Sequence, residues 1–506
     1  MIPVPGFEGR RVAVFGLGRS GITAARALQA GGAIPVLWDD GVSGRMQAEA
    51  EGFPVEDLTR ADWSGFAALV LSPGAPLTHP KPHWSVERAH EAGVPVIGDV
   101  ELFARALAAL PQGERPRVVA ITGTNGKSTT TALIGWVLKQ AGLSVHIGGN
   151  IGIGVLALPE PTADAVYVIE VSSYQLDLTT GFAPDVAILT NVSPDHLDRH
   201  GGMEGYVAAK RRIFQAQDGE ALALVGVDEE WGRKAAADLR AQGRRVETVL
   251  SLPSPLVGEG GSRSETDEGL LPVSGDAAVA SVGETPHPSP SGPPSPARGE
   301  GYGAAAGVLT AGGDVLADLT AARSLPGRHN AQNAAFAYAT ARALGVSHEA
   351  AVEGLLTFPG LSHRMEAVGR LGSVRFINDS KATNADAARQ ALASYPAVFW
   401  IAGGRAKDGG IDSLSDLFPR VTKAYLIGEA ADAFAVPLAD TPHVVAHTME
   451  RAVELAAADA AAAGGEQVVL LSPACASFDQ FPDFEVRGEA FRAAVLSLGA
   501  RPEPAA

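Results

Sequence analysis

The stretch ITGTNGKSTTTALIG, residues 121–135, decides the fold of the central part of this chain. The apolar run VVAI precedes it and the helix-like run TALIGWVLKQ follows it, so two glycines and a lysine lie between a strand and a helix. Such a turn directs backbone amides and an ammonium group at a phosphate. Only two residues separate Gly123 from Gly126, fewer than in the common G-x-x-x-x-G-K-[ST] loop. The sequence predicts a shortened phosphate-binding loop; the structural alternative is a glycine-rich turn with a surface lysine.

Composition excludes several classes of protein. The chain has 506 residues, and this length predicts about two to four domains. A formal net charge of −17 argues against binding to nucleic acid, which requires a basic face. The start MIPVPGFEGR lacks the apolar core of a signal peptide, no apolar run is long enough for membrane insertion, and Cys475 is the only cysteine. We therefore expect a soluble cytoplasmic protein without disulfides.

Apolar runs and helix-like stretches alternate along the chain, a pattern typical of parallel α/β folds. The first block runs from RVAVFGLG to VPVIGDVELF, the second opens at VVAITGTNGKS, and the third extends from VRFINDS to VVLLSPACAS. We predict an α/β protein of three domains, each a largely parallel sheet flanked by helices. The predicted ranges are 1–106 (Rossmann-like), 107–360 (P-loop-type) and 361–506 (Rossmann-like).

One segment interrupts the second block. Residues 251–303 are rich in Pro, Gly, Ser and Glu, and PSPLVGEG at 253–260 returns as PSPARGEG at 294–301. Such a composition buries too little apolar surface to offset the entropy of ordering, so the sequence predicts disorder. The segment is either an insertion in a surface loop or a Pro-rich docking segment. We favour the insertion, because long surface loops cost little stability.

A second glycine-rich turn, FGLGRSG, lies near the start of the chain. Gly16, Gly18 and Gly21 have G-x-G-x-x-G spacing between a strand-like and a helix-like run, and Asp39 ends the next strand-like run. This arrangement predicts a site for a nucleotide diphosphate, with Asp39 able to accept hydrogen bonds from ribose or base. NAD and another nucleotide diphosphate fit equally well, and a turn without a ligand is the structural alternative.

Metal ligands are predicted beside the phosphate loop. Lys127 can neutralise β- and γ-phosphates, and Ser128 can reach Mg²⁺. Glu170 ends the apolar run in VIEVSSYQL, and His196 follows another apolar run in LTNVSPDHLDRHG. Because ligands bind beyond the carboxyl ends of parallel strands, these side chains are expected near the phosphates. A histidine in a polar turn is the alternative for His196.

Seven stretches in fixed order resemble the Mur ligases of peptidoglycan synthesis: GTNGKST, EVSSYQLD, NVSPDHLDRH, GRHNAQN, HRME, NDSKATN and LSPACASFDQF. The resemblance covers nearly the whole chain apart from residues 251–303, and the last stretch is most similar to the D-glutamate-adding branch of that family. It implies an ATP-dependent amide ligase that joins D-glutamate to UDP-N-acetylmuramoyl-L-alanine through an acyl phosphate. The first domain would then bind the UDP-linked substrate, and the second domain would bind ATP. The third domain would bind D-glutamate and contribute to nucleotide binding.

The resemblance also implies roles for individual residues. Lys127, Glu170, His196 and Lys210 would be catalytic, and two Mg²⁺ ions would be held by Ser128, Glu170, His196 and Lys210 as a carbamate. ATP would contact Gly123, Thr124, Asn125, Gly126, Lys127, Ser128, Thr129, Asn330, Asn333, Arg364 and Asp379. The substrates would contact Gly18, Arg19, Ser20, Asp39, Ser72, Gly74, Asn150, Gln175, Lys381, Thr383, Lys407, Ser477 and Phe484.

At two places in the sequence, the residues present do not agree with what the resemblance implies. In GYVAAKRRIF the pattern alone predicts that Lys210 is a solvated lysine in a basic run, whereas the resemblance implies a carbamate. After Asp39, Asp40 and Gly41 stand where polar or basic residues are common in the family, so the resemblance does not specify the uracil contacts in detail.

Other functions remain open at this point. Another Mur-type ligase or a folylpolyglutamate synthetase would share the phosphate loop, although LSPACASFDQF argues against both. An NAD-dependent oxidoreductase would use FGLGRSG but leave Lys127, Glu170 and His196 unexplained. A nucleotide-regulated binding protein would bind ATP without turnover. We expect a monomer in each case.

Overall fold

The computed structural model describes residues 1–251 and 301–502, apart from 306, 313, 323, 326, 407 and 408. Most of the predicted insertion and the predicted substrate contact Lys407 therefore lie outside the described residues, as does the side chain of Arg19. At the two edges of the insertion, Ser251 and residues 301–303 belong to strands. Among the described helices, none combines the length and the apolar character that a membrane span requires.

The first domain is a four-stranded parallel sheet of order β2-β1-β3-β4. Its strands are β1 (Arg11–Phe15), β2 (Ile34–Trp38), β3 (Phe66–Leu71) and β4 (Val96–Ile97). Its helices are α1 (Arg19–Ala30), α2 (Val42–Ala50), α3 (Trp84–Glu91) and α4 (Asp99–Ala108). The predicted boundary after residue 106 falls in the last turn of α4, and the link to the next sheet runs from 109 to 116.

The middle domain is a nine-stranded sheet of order β13-β12-β11-β10-β9-β8-β5-β7-β6. Its strands are β5 (Arg117–Thr122), β6 (Ser144–Gly149), β7 (Ala165–Glu170), β8 (Val186–Leu189), β9 (Leu222–Gly226), β10 (Arg245–Ser251), β11 (Gly301–Ala305), β12 (Val308–Ala311) and β13 (Asp314–Asp318). Its helices are α5 (Lys127–Gln140), α6 (Ser173–Asp177), α7 (Leu197–His200), α8 (Met203–Arg211), α9 (Glu230–Ala241), α10 (Arg328–Ala343) and α11 (His348–Leu356).

This sheet explains where the phosphate loop lies. Every residue of β7 is buried, as expected for a central parallel strand covered by helices on both faces. The chain places β7 and β6 on one side of β5 and β8 to β10 on the other, so the order reverses at β5. Ligands bind at such a switch point, beyond the carboxyl ends of the strands. Two antiparallel strands, β12 and β13, close the other edge and were not predicted.

The third domain is a seven-stranded sheet of order β18-β17-β16-β19-β15-β14-β20, antiparallel only at β14 and β20. Its strands are β14 (Glu366–Leu371), β15 (Val374–Asn378), β16 (Val398–Gly403), β17 (Val421–Ile427), β18 (His443–His447), β19 (Gln467–Leu471) and β20 (Arg501–Pro502). Its helices are α12 (Ala385–Ala393), α13 (Ala431–Ala435), α14 (Met449–Ala463) and α15 (Phe484–Ser497). The predicted α/β class with three mostly parallel sheets is confirmed.

The buried cores show how the domains are joined. One apolar cluster runs without a break from the first domain into the middle domain, and Phe103 of α4 packs on Tyr167 of β7 with ring centroids 5.6 Å apart. The cores of the third domain contain only residues beyond position 364. The first two domains therefore form one packed unit, against which the third domain lies.

Candidate active site

The phosphate loop adopts a backbone that only glycine accommodates. Gly123 has φ 148° and Gly126 has φ 80°, and α5 begins at Lys127. A Cβ atom on Gly123 would lie 1.9 Å from Thr190 Oγ1, and one on Gly126 would lie 2.7 Å from Asn333 Oδ1. The two glycines thus permit both the positive φ angles and close contact with neighbouring side chains. The helix N-terminus behind them provides amides for an anion.

A second loop, residues 190–193 after β8, fixes this backbone. The amide of Asn125 donates to Asn191 Oδ1 at 2.8 Å, and the amide of Thr124 donates to the Asn191 carbonyl at 2.9 Å. The hydroxyl of Thr190 donates to the Asn125 carbonyl at 2.8 Å. These bonds hold the loop in place before any ligand arrives, which reduces the ordering that binding requires.

Two lysines meet at one carbonyl oxygen. Lys127 Nζ and Lys210 Nζ donate to the Gly123 carbonyl at 2.9 and 2.7 Å, and Lys127 also donates to the Thr124 carbonyl at 2.7 Å. Lys210 is only 2% exposed and lies over the Tyr206 ring, 4.4 Å from its centroid. Burial, and then the charge of Lys127, hold the pKa of Lys210 well below its ordinary 10.5. The pattern-based prediction of a solvated Lys210 is wrong, because α8 turns this residue inward.

Glu170 provides a buried carboxylate at the end of β7. Asn150 Nδ2 donates to its Oε1 at 3.0 Å, whereas Oε2 is buried and has no direct hydrogen-bond partner among the residues that the structure describes. Burial opposes ionisation, yet the charge of Lys127 and hydrogen bonding hold the pKa of Glu170 below its ordinary value. A buried, ionised carboxylate is suited to a cation, and the hydroxyl of Ser128 is among the groups that stabilise its charged form.

His196 lies in the turn before α7 with a left-handed backbone, φ 53°. Its Nε2 is 3.4 Å from Asp195 Oδ2, its side chain is 42% exposed, and its ring packs on Tyr174. Within the described ranges, no three His, Cys, Asp or Glu side chains group closely enough to hold a metal by themselves. A cation beside the phosphate loop would therefore depend on few protein ligands, which is usual for Mg²⁺ bound together with phosphates.

A cleft of about 450 Å³ opens between the middle and third domains, and its size suits a small-molecule ligand. It brings together residues that the sequence places far apart. The predicted nucleotide residues that line it are Asn125, Gly126, Thr129, Asn330, Asn333, Arg364 and Asp379, with the predicted substrate residue Lys381 beside them. Lining residues that were not predicted include Asp228, Glu229, Gln332, Phe358, Asp386 and Arg389.

The third domain reaches the phosphate loop through Arg364. Its guanidinium donates to Ser128 Oγ at 2.7 Å. Asp379, which accepts from Ser472 Oγ at 2.9 Å, is so deeply buried that its pKa rises to about 7. Burial, and then the charge of Arg364, lower the pKa of Lys381 to about 8. Cationic and acidic groups from both domains thus face one cleft.

The residues that were predicted to hold D-glutamate all belong to the third domain. Lys381 Nζ lies 3.7 Å from the centroid of the Phe484 ring, and the amide of Thr383 donates to the Lys381 carbonyl. Ser477, two residues after Cys475, is buried. Arg487 was not among the predicted residues. This residue of α15 is 1% exposed, donates to both Ser380 and the Cys475 carbonyl, and has a pKa lowered by burial to about 10.

The predicted residues of the first domain lie beyond the carboxyl ends of β1, β2 and β3 and at the start of α1. Asp39 Oδ2 accepts from the Leu17 amide at 2.6 Å and Oδ1 accepts from the Gly41 amide at 2.7 Å, so this carboxylate shapes the glycine-rich turn. Gln175 donates to Asp99 at 3.1 Å and caps α6. The remaining predicted positions are at or near this turn and the end of β3: Gly18, Ser20, Ser72 and Gly74.

The strand order, the phosphate loop at the switch point and the cleft between domains define a class, namely α/β enzymes that use a nucleoside triphosphate. Residues 121–251 match the Mur ligase middle domain, and residues 363–475 match the Mur ligase glutamate ligase domain. The chain belongs to the Mur ligase family, whose members are ATP-dependent ligases of peptidoglycan precursors.

Full-length relatives place the chain within that family. It is 57% identical over 505 residues to a UDP-N-acetylmuramoylalanine–D-glutamate ligase from Caulobacter vibrioides, covering 99% of this chain and 98% of the relative. A ligase of the same name from Phenylobacterium zucineum is 57% identical over 503 residues, covering 98% of each chain. The solved UDP-N-acetylmuramate–alanine ligase from Thermotoga maritima shares the fold, with a TM-score of 0.55 at 16% identity over 97% of this chain and 99% of that one.

Proposed function

We propose that this chain joins D-glutamate to the L-alanyl carboxylate of UDP-N-acetylmuramoyl-L-alanine, with conversion of ATP to ADP and phosphate. The observation that carries the proposal is the arrangement of Lys127, Lys210 and Glu170 around the phosphate loop. It is supported by 57% identity to relatives that carry this name. The reaction would take place in the cytoplasm, with the protein acting as a monomer and without nucleic acid.

The residues present fit a divalent cation beside the phosphates. Within the described part of the chain, the buried Glu170 Oε2 has no direct hydrogen-bond partner, and Ser128 lies in the first turn of α5, directly after the phosphate loop. We propose that Ser128 and Glu170 hold one Mg²⁺, and that His196 and a carbamate on Lys210 hold a second. Mg²⁺ neutralises phosphate charge and aligns phosphate oxygens for transfer.

The chemistry divides into two steps. Lys127 and the backbone amides of Gly126 and Lys127 hold the β- and γ-phosphates, so that charge leaving with ADP is neutralised, while the amides of Thr124 and Asn125 stay bonded to Asn191. A substrate carboxylate oxygen attacks the γ-phosphorus, an O–P bond forms, and the bond to the ADP oxygen breaks. The neutral amine of D-glutamate then attacks the acyl carbon, and phosphate leaves as the amine loses its proton. Phosphorylation is needed because a free carboxylate is a poor electrophile.

Burial and charge support the proposed carbamate on Lys210. The Nζ atoms of Lys127 and Lys210 both donate to the Gly123 carbonyl oxygen, and burial, which lowers the pKa of Lys210, favours its neutral amine. A neutral amine can attack CO₂ to form an N–C bond, with release of one proton, and the product carries a negative charge beside Lys127. The like-charge repulsion between the two lysines is thereby replaced by attraction.

Substrate positions follow the three domains. We propose that the UDP group lies at the β1–β3 switch point, on the loop that Asp39 shapes, with Asn150 and Gln175 towards the sugar–peptide end. D-Glutamate would contact five residues of the third domain, namely Lys381, Thr383, Lys407, Ser477 and Phe484. Asp40 and Gly41 depart from the family pattern, so the resemblance does not specify the contacts to uracil in detail.

An oxygen-18 experiment tests the acyl phosphate. UDP-N-acetylmuramoyl-L-alanine labelled with ¹⁸O in the alanyl carboxylate is incubated with ATP, Mg²⁺ and D-glutamate, and the released phosphate is analysed by mass spectrometry. We expect one ¹⁸O atom in each phosphate released, because the carboxylate oxygen becomes the bridge to phosphorus. Unlabelled phosphate accompanying product formation would overturn this mechanism.

A further inference from the structure

A group of side chains packed around Tyr174 lies behind His196 and takes no part in the chemistry described above. This group, the Tyr174 cluster, joins Ser173, Tyr174 and Asp177 of α6 to Arg199 and His200 of α7. Its members are drawn from the two short helices that follow β7 and β8. The cluster therefore connects the segment that carries His196 to the segment that follows Glu170.

His200 is the anchored member of the cluster. It is 6% exposed; its Nδ1 lies 3.1 Å from Asp177 Oδ2, and its Nε2 lies 3.0 Å from Ser173 Oγ. The tautomer that matches both partners has its proton on Nδ1, which then donates to the Asp177 carboxylate, and accepts from the Ser173 hydroxyl at Nε2. Both ring nitrogens are engaged by α6, so the orientation of the ring is fixed.

These contacts have the connectivity of a Ser–His–Asp triad, but they do not form a nucleophilic site. Ser173 is 3% exposed in the first turn of α6 and does not line the cleft between the domains. A nucleophile must lie within reach of a substrate atom, with donors for the developing oxyanion. The buried position of Ser173 meets neither condition, so the arrangement serves to hold a ring.

Tyr174 contacts the rings of both His200 and His196. The rings of Tyr174 and His200 are stacked, with centroids 5.3 Å apart and an interplanar angle of 11°. The ring of His196 packs on the same tyrosine at 5.1 Å, and the guanidinium of Arg199 lies 4.7 Å from its centroid. His196 itself is partly exposed and has a left-handed backbone, so its ring depends on neighbours for a defined orientation.

We infer that His200 is a positioning residue, which fixes Tyr174 and thereby orients the His196 imidazole beside the phosphate loop. This inference rests on the proposed function, since it concerns the second cation position assigned to His196. Loss of the hydrogen bonds from His200 would let Tyr174 move and would misplace His196. Misplacement of a group at the reacting centre by about 1 Å can lower a rate by about 100-fold.

The test compares two His→Phe substitutions. His200→Phe keeps an aromatic ring against Tyr174 but removes both hydrogen bonds. His348→Phe is the matched control, because His348 of α11 bonds Tyr338 through Nδ1 at 2.8 Å and does not line the cleft. We expect kcat to fall by about 10- to 100-fold in His200→Phe, with KM for ATP changed by less than about threefold, and wild-type kcat in the control. Mn²⁺ binding in the presence of ADP, followed by electron paramagnetic resonance, should weaken by about tenfold.

A double substitution separates positioning from general damage to the fold. In a His196→Ala background, His200→Phe should lower kcat by less than about twofold further, because its effect acts through His196. If His200→Phe does not fold, Ser173→Ala removes one of the two bonds and takes its place. A His200→Phe enzyme with wild-type kcat, or losses that multiply in the double variant, would overturn the inference. Wild-type protein that releases no phosphate in response to D-glutamate would instead overturn the proposed function.

Discussion

Lys210 is the residue whose position in the structure differs most from the position expected from the sequence pattern. The KRR run in the sequence indicated solvent, but Lys210 follows Tyr206 by four residues and therefore shares the face of α8 that is buried. That spacing was a usable signal. Contact with the Gly123 carbonyl was not, because 87 residues separate the two positions and no local pattern reports such a pairing.

Chemical rescue of Lys210→Ala tests the proposed carbamate. The substitution removes the group that would carry the negative charge, so we expect a loss of at least about 100-fold in kcat. Acetate or formate should restore part of the rate by supplying a carboxylate in the vacated space. Lys210→Arg is the matched control, since guanidinium keeps the positive charge and fills the space, and carboxylates should not rescue it. Wild-type activity in Lys210→Ala would return this lysine to a structural role.

The buried Asp379 predicts a pH dependence of stability. Its pKa is raised from 3.8 to about 7 in the folded chain, so the folded state holds this proton more tightly than the unfolded state. The resulting stabilisation is complete below the unfolded pKa and is lost as the pH rises through about 7. Between pH 5 and 7.5 the free energy of unfolding should fall by roughly 2 kcal/mol more in wild type than in Asp379→Asn. Urea unfolding at both pH values measures the difference, and parallel profiles would contradict it.

At the scale of secondary-structure elements, the glycine spacing in the phosphate loop was enough to predict a strand, a turn and a helix. The sequence also predicted that Glu170 and His196 lie near the carboxyl edge of a parallel sheet, because polar residues that follow apolar runs mark that edge. Glu170 ends β7, and His196 lies in the turn between β8 and α7. It could not identify Arg487 or the cleft residues Asp228 and Glu229. Helical periodicity gives no sign of a buried arginine that bonds Ser380, 107 residues away.

Substitution of the loop glycine tests this geometry. Gly123→Ala places a Cβ atom 1.9 Å from Thr190 Oγ1 at a φ of 148°, so the loop must shift. We expect ATP affinity, measured by isothermal titration calorimetry, to fall by at least about tenfold, because the amides no longer converge on the phosphates. Gly113→Ala is the control: no atom lies within 4 Å of its new Cβ, and φ is not positive. Equal ATP affinity in the two variants would show that the loop does not bind phosphate.

At the scale of the whole molecule, alternating apolar and helical patterns predicted three sheets but not how they are joined. The sequence gives no sign that the first two domains share a core while the third has its own. Such contacts connect residues that are distant in the chain. The antiparallel edge strands β12 and β13 were missed for a related reason, since they follow the compositionally biased segment and carry short, weakly apolar patterns.

The arrangement of the whole molecule leads to the proposal that the cleft between the middle and third domains serves an ATP-dependent ligation specific for D-glutamate. The most direct measurement is phosphate release from ATP with UDP-N-acetylmuramoyl-L-alanine, Mg²⁺ and a panel of amino acids that includes D-glutamate, L-glutamate and meso-diaminopimelate. We predict release only with D-glutamate, and none when any one of the other components is omitted. Comparable release with L-glutamate or meso-diaminopimelate would contradict the account.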